Sequence, residues 1–136
     1  MNIYLDIDGV ILANDKQPAL HADEFIGHLV DNFPVYWLTT HCRFEGDNPV
    51  LHLSQFFSND TVRQLKRVKP AYWDMLKTEG IDFNQPFIWF DDDPLETEKE
   101  FLAQRNILSS WVEVDLSKNV HQLRELLKTP ALHLSY

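Results

Sequence analysis

The chain has 136 residues, 44% hydrophobic and 12% aromatic, which is enough for one domain (1–136) with its own core and too apolar for disorder. A formal net charge of −9 and a pI of about 4.9 count against a protein that coats nucleic acid through broad phosphate contacts. No apolar run approaches the ~20 residues that span a bilayer, the single Cys42 has no partner within the chain, and no basic leader precedes the first apolar segment, so a soluble cytoplasmic protein is expected.

In chain order, Asn2 to Ile7 reads as a buried strand stopped by Asp8-Gly9. Apolar positions Leu20, Phe25, Ile26, Leu29 and Val30 fall on one helical face, with Pro18 as a start signal. Val35-Tyr36-Trp37-Leu38 is a second strand. After a loop over 41–47, Asn48-Pro49 opens a short helix through Phe56. Helices are predicted over 60–67 and from Pro70 to about Gly80, then a third strand over Phe87 to Phe90 running into Asp91-Asp92-Asp93-Pro94. The tail reads as helix (95–105), strand (111–114) and helix (120–128). Strands that are apolar throughout and alternate with helices indicate a parallel sheet covered on both faces. The four tryptophans, Trp37, Trp73, Trp89 and Trp111, fall within these elements and are read as core.

Ligands of such sheets bind beyond the carboxyl ends of the strands. Here three strands run into polar residues at that edge: Asp6-Ile7-Asp8-Gly9, Thr39-Thr40 and Asp91-Asp92-Asp93. Residues two apart on a strand share a side, so Asp6 and Asp8 are placed together, and Gly9 lets the backbone turn away. At an effective dielectric near 20, two like charges ~4 Å apart cost about 4 kcal/mol. Converging carboxylates therefore call for a cation, and an all-oxygen donor set suits magnesium. The alternative is a helix start, with Asp93 as N-cap and Pro94 in the first turn.

The order of these motifs resembles the haloacid dehalogenase superfamily of phosphohydrolases. Tyr4-Leu5-Asp6-Ile7-Asp8-Gly9-Val10 is similar to its first motif and Trp37-Leu38-Thr39 to its second. Lys69-Pro70 is similar to its third motif, and Ile88-Trp89-Phe90-Asp91-Asp92 to its fourth. The likeness covers roughly residues 1–115. It implies a Rossmann-like three-layer α/β/α fold and a magnesium-dependent phosphatase. Asp6 would be the nucleophile and Asp8 the general acid and base. Mg2+ would be held by Asp6, the Asp8 backbone carbonyl and Asp92, with Asp91 in support. Thr39 and Lys69 would hold the transferring oxygens, with Thr40 and Lys66 as the alternatives.

Family members often carry a cap domain, but about 30 residues separate Asp8 from Thr39 and about as many separate Thr39 from Lys69. Neither gap holds a cap once core helices are subtracted. An open site with a short flap over 10–18 is expected, suited to exposed phosphates on protein or nucleic-acid ends. Arg43 is the candidate phosphate anchor at the entrance; His41 and Cys42 beside it are assigned no role. Arg63, Lys66, Arg67 and Lys69 concentrate basic charge and are read as a solvated face, with steering of a phosphorylated or nucleic-acid substrate as the alternative. A receiver-type signalling domain uses similar residues, but there Lys-Pro follows the acids instead of preceding them. The remaining rival is a family member that binds phosphate or a partner without turnover.

Overall fold

The computed structural model describes residues 1–14 and 16–133. Five strands, β1 (Asn2–Leu5), β2 (Val35–Trp37), β3 (Lys69–Pro70), β4 (Phe87–Asp91) and β5 (Trp111–Glu113), form one sheet in the order β3-β2-β1-β4-β5. Every pairing is parallel. Five helices are interleaved: α1 (Ala22–Asn32), α2 (Pro49–Leu53), α3 (Asn59–Leu65), α4 (Glu96–Gln104) and α5 (Gln122–Leu127). This is a small Rossmann-like α/β fold without a cap domain. No helix among the described residues is long and apolar enough to cross a membrane.

Strand parity divides the core. Ile3, Leu5, Val35, Trp37 and Phe90 face one layer, where Phe25, Ile26, Leu29, Leu65 and Leu123 from α1, α3 and α5 cover them. Phe25 meets Phe90 edge-on, with ring centroids 5.2 Å apart. The alternate residues Tyr4, Leu38, Phe87 and Trp89 face the other layer, with Leu102 of α4 and with Ala71 and Ile81 from the long β3–β4 connection. The Tyr4 hydroxyl accepts a hydrogen bond from the Asp82 N–H at 2.9 Å and fastens that connection to the sheet. Sheets buried on both faces need such continuous apolar strands.

Side chains cap two of the helices. Asn48 caps α2 ahead of Pro49 by accepting from the Leu51 N–H at 3.3 Å, and Ser58 caps α3 through the Thr61 N–H at 3.3 Å. Asp93 does not cap α4: its carboxylate pairs with Lys99 at 3.1 Å, and the helix begins after Leu95.

The predicted helix from Pro70 to Gly80 is replaced by edge strand β3, an irregular stretch, and a single 3₁₀ turn, Lys77–Gly80. Lys69 and Pro70 pair in register with Tyr36 and Trp37, and the Ala71 N–H continues the ladder to the Trp37 carbonyl at 3.2 Å. An edge strand tolerates a proline that a helix start would also have accepted.

Strand order reverses between β1 and β4, since the chain runs outward to β2 and β3 on one side and to β5 on the other. Such a switch point leaves a crevice at the carboxyl edge. Truncating the core beneath it with Phe25→Ala is expected to cost about 3–5 kcal/mol, read as a lowered urea midpoint with an unchanged slope.

Candidate active site

Register and parity bring the acids together. Leu5 pairs with Phe90, and the Asp6 N–H donates to the Phe90 carbonyl at 3.1 Å, so Asp6, just past β1, and Asp91, the last residue of β4, stand side by side. Both share the parity of Tyr4 and Trp89, which turns them toward the layer that contains the 3₁₀ turn. Asp6 is 6% exposed and Asp91 1%. Carboxylate oxygens of Asp6, Asp91 and Asp92 all lie within 4.8 Å of one another.

The cation that meets them is Lys77, not Lys69 or Lys66. Lys77 Nζ lies 2.7 Å from Asp91 Oδ2 and 3.3 Å from Asp6 Oδ2. Lys69 is exposed in edge strand β3 and Lys66 is exposed at the end of α3. Two acids fix the Lys77 turn, Glu98 from α4 and Glu79 from within the turn. Glu98, buried at the start of α4, accepts from the Lys77 N–H at 2.5 Å and the Leu95 N–H at 2.9 Å. Glu79 accepts from the N–H groups of Asp74 and Leu76 at 3.0 and 3.1 Å. The turn is thereby tied to the start of α4 and to the chain that leads into it. Lys77 lies ten residues before β4 with no motif around it, so only the fold brings it to the acids.

Electrostatics show how tightly these groups are confined. Burial pushes the Asp6 carboxyl up to about 7, with Asp91 adding to the shift; Lys77 and the Ile7 N–H, 2.8 Å from Asp6 Oδ1, oppose it. Partial desolvation and then Asp91 raise Asp92. Burial alone would lower Lys77, but the carboxylates of Asp6 and Asp91 outweigh it and hold the ammonium charged. Three carboxylates face one ammonium, leaving an excess that a divalent cation matches, and the donors are all hard oxygens of the kind magnesium selects. The residues therefore fit Mg2+ through Asp6, Asp91 and Asp92. Gly9 makes room for this arrangement: its φ is +81°, and a β-carbon there would lie 2.5 Å from Asp92 Oδ2.

Asp8 leads a separate life. Its side chain points away from the carboxylate cluster, with Oδ2 2.8 Å from His41 Nε2 and Oδ1 3.6 Å from Lys16 Nζ. Burial opposes ionisation, but the His41 hydrogen bond and charge, with Lys16, hold the Asp8 carboxyl below its ordinary range. His41 is thus part of the site, contrary to the sequence reading. Its ring stacks on His52 of α2 at 4.5 Å, and His52 meets Phe56 at 5.5 Å.

Thr39 is buried at the end of β2, its Oγ1 accepting from the His41 N–H at 3.3 Å. Thr40 is exposed and lines a small cavity with Lys77. Arg43 is committed elsewhere. Its guanidinium lies over the rings of Trp73 and Phe44 at 4.6 and 5.0 Å, donates to the Asp74 carbonyl, and pairs with the Asp74 carboxylate at 3.8 Å. It ties the β2 loop to the stretch before Lys77 and is not a free phosphate anchor. Cys42 is buried, with its thiol raised by desolvation.

The flap expected over 10–18 includes Asp15, which lies outside the described residues. Val10, Ile11 and Leu12 are fully buried and root this segment in the core, with the Gly9 N–H bonded to the Leu12 carbonyl at 2.8 Å. The arginines of the basic run are paired elsewhere. Arg67 pairs with Asp31 at 2.8 Å and donates to the Val30 carbonyl at 2.9 Å, near the end of the helix that feeds β2, so it belongs to the opposite edge of the sheet. Arg63 pairs with Asp60.

Comparison with protein-family models, curated proteins and solved structures finds no match, so the reading of this site rests on its own geometry.

Two outcomes test the electrostatic description. A carboxyl raised in the folded state binds its proton there and not in the unfolded chain between about pH 4 and 7, so its contribution to stability is lost as pH rises through that window. The metal-free protein should lose roughly 5–10 °C of Tm between pH 5 and 8 relative to Asp6→Asn, and magnesium should abolish the difference; parallel Tm curves for the two proteins would contradict it. Gly9→Ala should cost about 1–2 kcal/mol from its left-handed backbone in urea melts. It should also weaken magnesium binding by calorimetry as Asp92 is displaced.

Proposed function

We propose that this chain is a magnesium-dependent phosphohydrolase of the haloacid dehalogenase type, working through an aspartyl-phosphate on Asp6. The observation that carries the reading is the placement of buried Asp6 at the strand-order switch point, against Lys77 and two further carboxylates.

In the first step an Asp6 carboxylate oxygen attacks phosphorus, the bond from phosphorus to the leaving oxygen breaks, and Asp8 donates a proton to that oxygen. In the second, Asp8 takes a proton from water, the water oxygen attacks phosphorus, and the bond to Asp6 breaks, restoring the carboxylate and releasing phosphate. Magnesium at Asp6, Asp91 and Asp92 would offset the repulsion between an anionic carboxylate and an anionic phosphoryl group. Lys77, fixed by Glu98, holds the transferring oxygens together with Thr39 or Thr40. Asp8 must carry a proton as the leaving oxygen departs. A bound phosphoryl dianion both raises Asp8 and competes for Lys16 and His41, which hold it ionised in the free protein.

The test is hydrolysis of an aryl phosphate with magnesium or with EDTA. Wild type should turn over only with magnesium, and Asp6→Asn should abolish turnover. Lys77→Met should lower kcat/KM by about a hundredfold or more, while Lys69→Met should leave it within about twofold. Equal losses in the two lysine variants would overturn the assignment of Lys77. Absence of turnover across aryl and alkyl esters, with magnesium still bound, would favour a phosphate-binding protein without turnover.

A further inference from the structure

Two cavities flank the candidate site, and their chemistry differs. One, of about 420 Å³, lies beyond Asp92 and is bordered by Gly9, Asn14, Asp115 and Ser117. Its acids repel an anionic substrate. The other, of about 230 Å³, opens between three loops that follow β2, precede β4 and follow β4. Thr40, Lys77, Trp73, Met75, Pro94 and Leu95 line it, together with the acids Asp93 and Glu98.

Several features mark the second cavity as a place for a ligand. Met75 and Leu95 are large apolar side chains left 75% and 56% exposed at its rim. The Trp73 indole is held in place by its N–H bond to the Thr39 carbonyl at 3.1 Å and by the Arg43 guanidinium. Of the two acids that also line it, Glu98 is taken up by two backbone N–H groups and Asp93 pairs with Lys99. Their charge also disfavours a second anionic group there. An enclosed apolar cavity of about 150 Å³ takes up benzene, and at about 230 Å³ this recess has room for a six-membered ring and a linking carbon.

We propose that this cavity is the subsite for the organic part of the substrate, and that the substrate is a phosphate monoester of a neutral, ring-sized apolar alcohol. The proposal rests on the phosphohydrolase reading for the identity of the reacting group. The phosphoryl group sits at Lys77, whose side chain borders both the acid cluster and the cavity, and the ring lies between Trp73 and Met75 on one side and Pro94 and Leu95 on the other.

The experiment compares benzylphosphonate with ethylphosphonate, which share a head group and cannot be hydrolysed, by calorimetry on the magnesium-loaded protein. Burying the ring should make benzylphosphonate bind roughly 10- to 100-fold more tightly. Leu95→Asp keeps a good residue at the helix N-cap position and Met75→Ala changes an exposed side chain. Both should keep the wild-type Tm within a few degrees while cutting the preference to about threefold or less. Equal affinities in wild type, or a full preference retained in both variants, would overturn the subsite. Turnover of benzyl and ethyl phosphate, assayed alongside, separates the two readings. Selective binding without turnover of either ester supports the subsite and rejects the hydrolase, whereas turnover of both with equal kcat/KM and equal phosphonate affinities rejects the subsite alone. Binding of neither phosphonate overturns both.

Discussion

Three carboxylates and one ammonium crowd the mouth of a crevice, with Asp6, Asp91 and Lys77 largely withdrawn from water, and much of the local structure can be read as what this crowding requires. Asp6 and Asp91 are brought side by side by the register of β1 against β4, and Lys77 is their direct counter-charge. A lysine on a free loop would lose conformational entropy to reach that point. Here the turn that carries it is anchored through backbone N–H groups by Glu98 and Glu79, so its position is fixed before any ligand arrives. Such preorganisation is what makes a charge effective toward a developing anion. Glu98 also starts α4, so the helix that covers one face of the sheet and the lysine that completes the site depend on a single buried carboxylate.

The two aspartates of the first loop are driven in opposite directions. Asp6, desolvated and beside Asp91, is raised to about 7, while Asp8, beside His41 and Lys16, is held low. Pairs of like groups separated in this way are a common means of assigning distinct acid–base roles to one residue type. The division has a structural origin. Asp6 continues the parity of β1 toward the layer containing Lys77, whereas Asp8 comes after the buried Ile7, at the start of the turn toward Gly9, and faces the β2 loop. A column of rings, His41 on His52 on Phe56, supports that side of the site from α2.

The parallel sheet, the order of its elements and the acidic edge were legible from local patterns, because continuous apolar strands and strand-terminal aspartates are short-range features. Asp6, Asp91 and Asp92 converge as their positions at strand ends implied. Lys77 and His41 were not legible, for different reasons. Lys77 reaches the site through a sixteen-residue connection, 71–86, whose path is set by packing on Tyr4, Leu38 and Trp89. Lys69-Pro70 carried the stronger local signal, but a lysine-proline pair serves an edge strand as well as a helix start. His41 follows a threonine at a loop, where sequence gives no side-chain direction. Arg43 had the right chemistry and the right neighbourhood, yet flanking aromatic rings and Asp74 claim it.

The absence of a cap bears on how a phosphate would be captured. With a net charge of −9, the chain as a whole repels an anionic ester at a distance, and the two arginines of its basic run are already paired, Arg63 with Asp60 and Arg67 with Asp31. On the phosphohydrolase reading, attraction would come at close range, from Lys77, Lys16 and a magnesium ion held by the acids, within a Debye length of roughly 8–10 Å at physiological salt. Close-range capture favours a substrate that also gains from contact, and non-electrostatic contact is what the cavity beside Lys77 offers. On the proposed reading, an open, acidic molecule with an apolar recess beside Lys77 would discriminate through the shape and polarity of the alcohol more than through the charge of the phosphate.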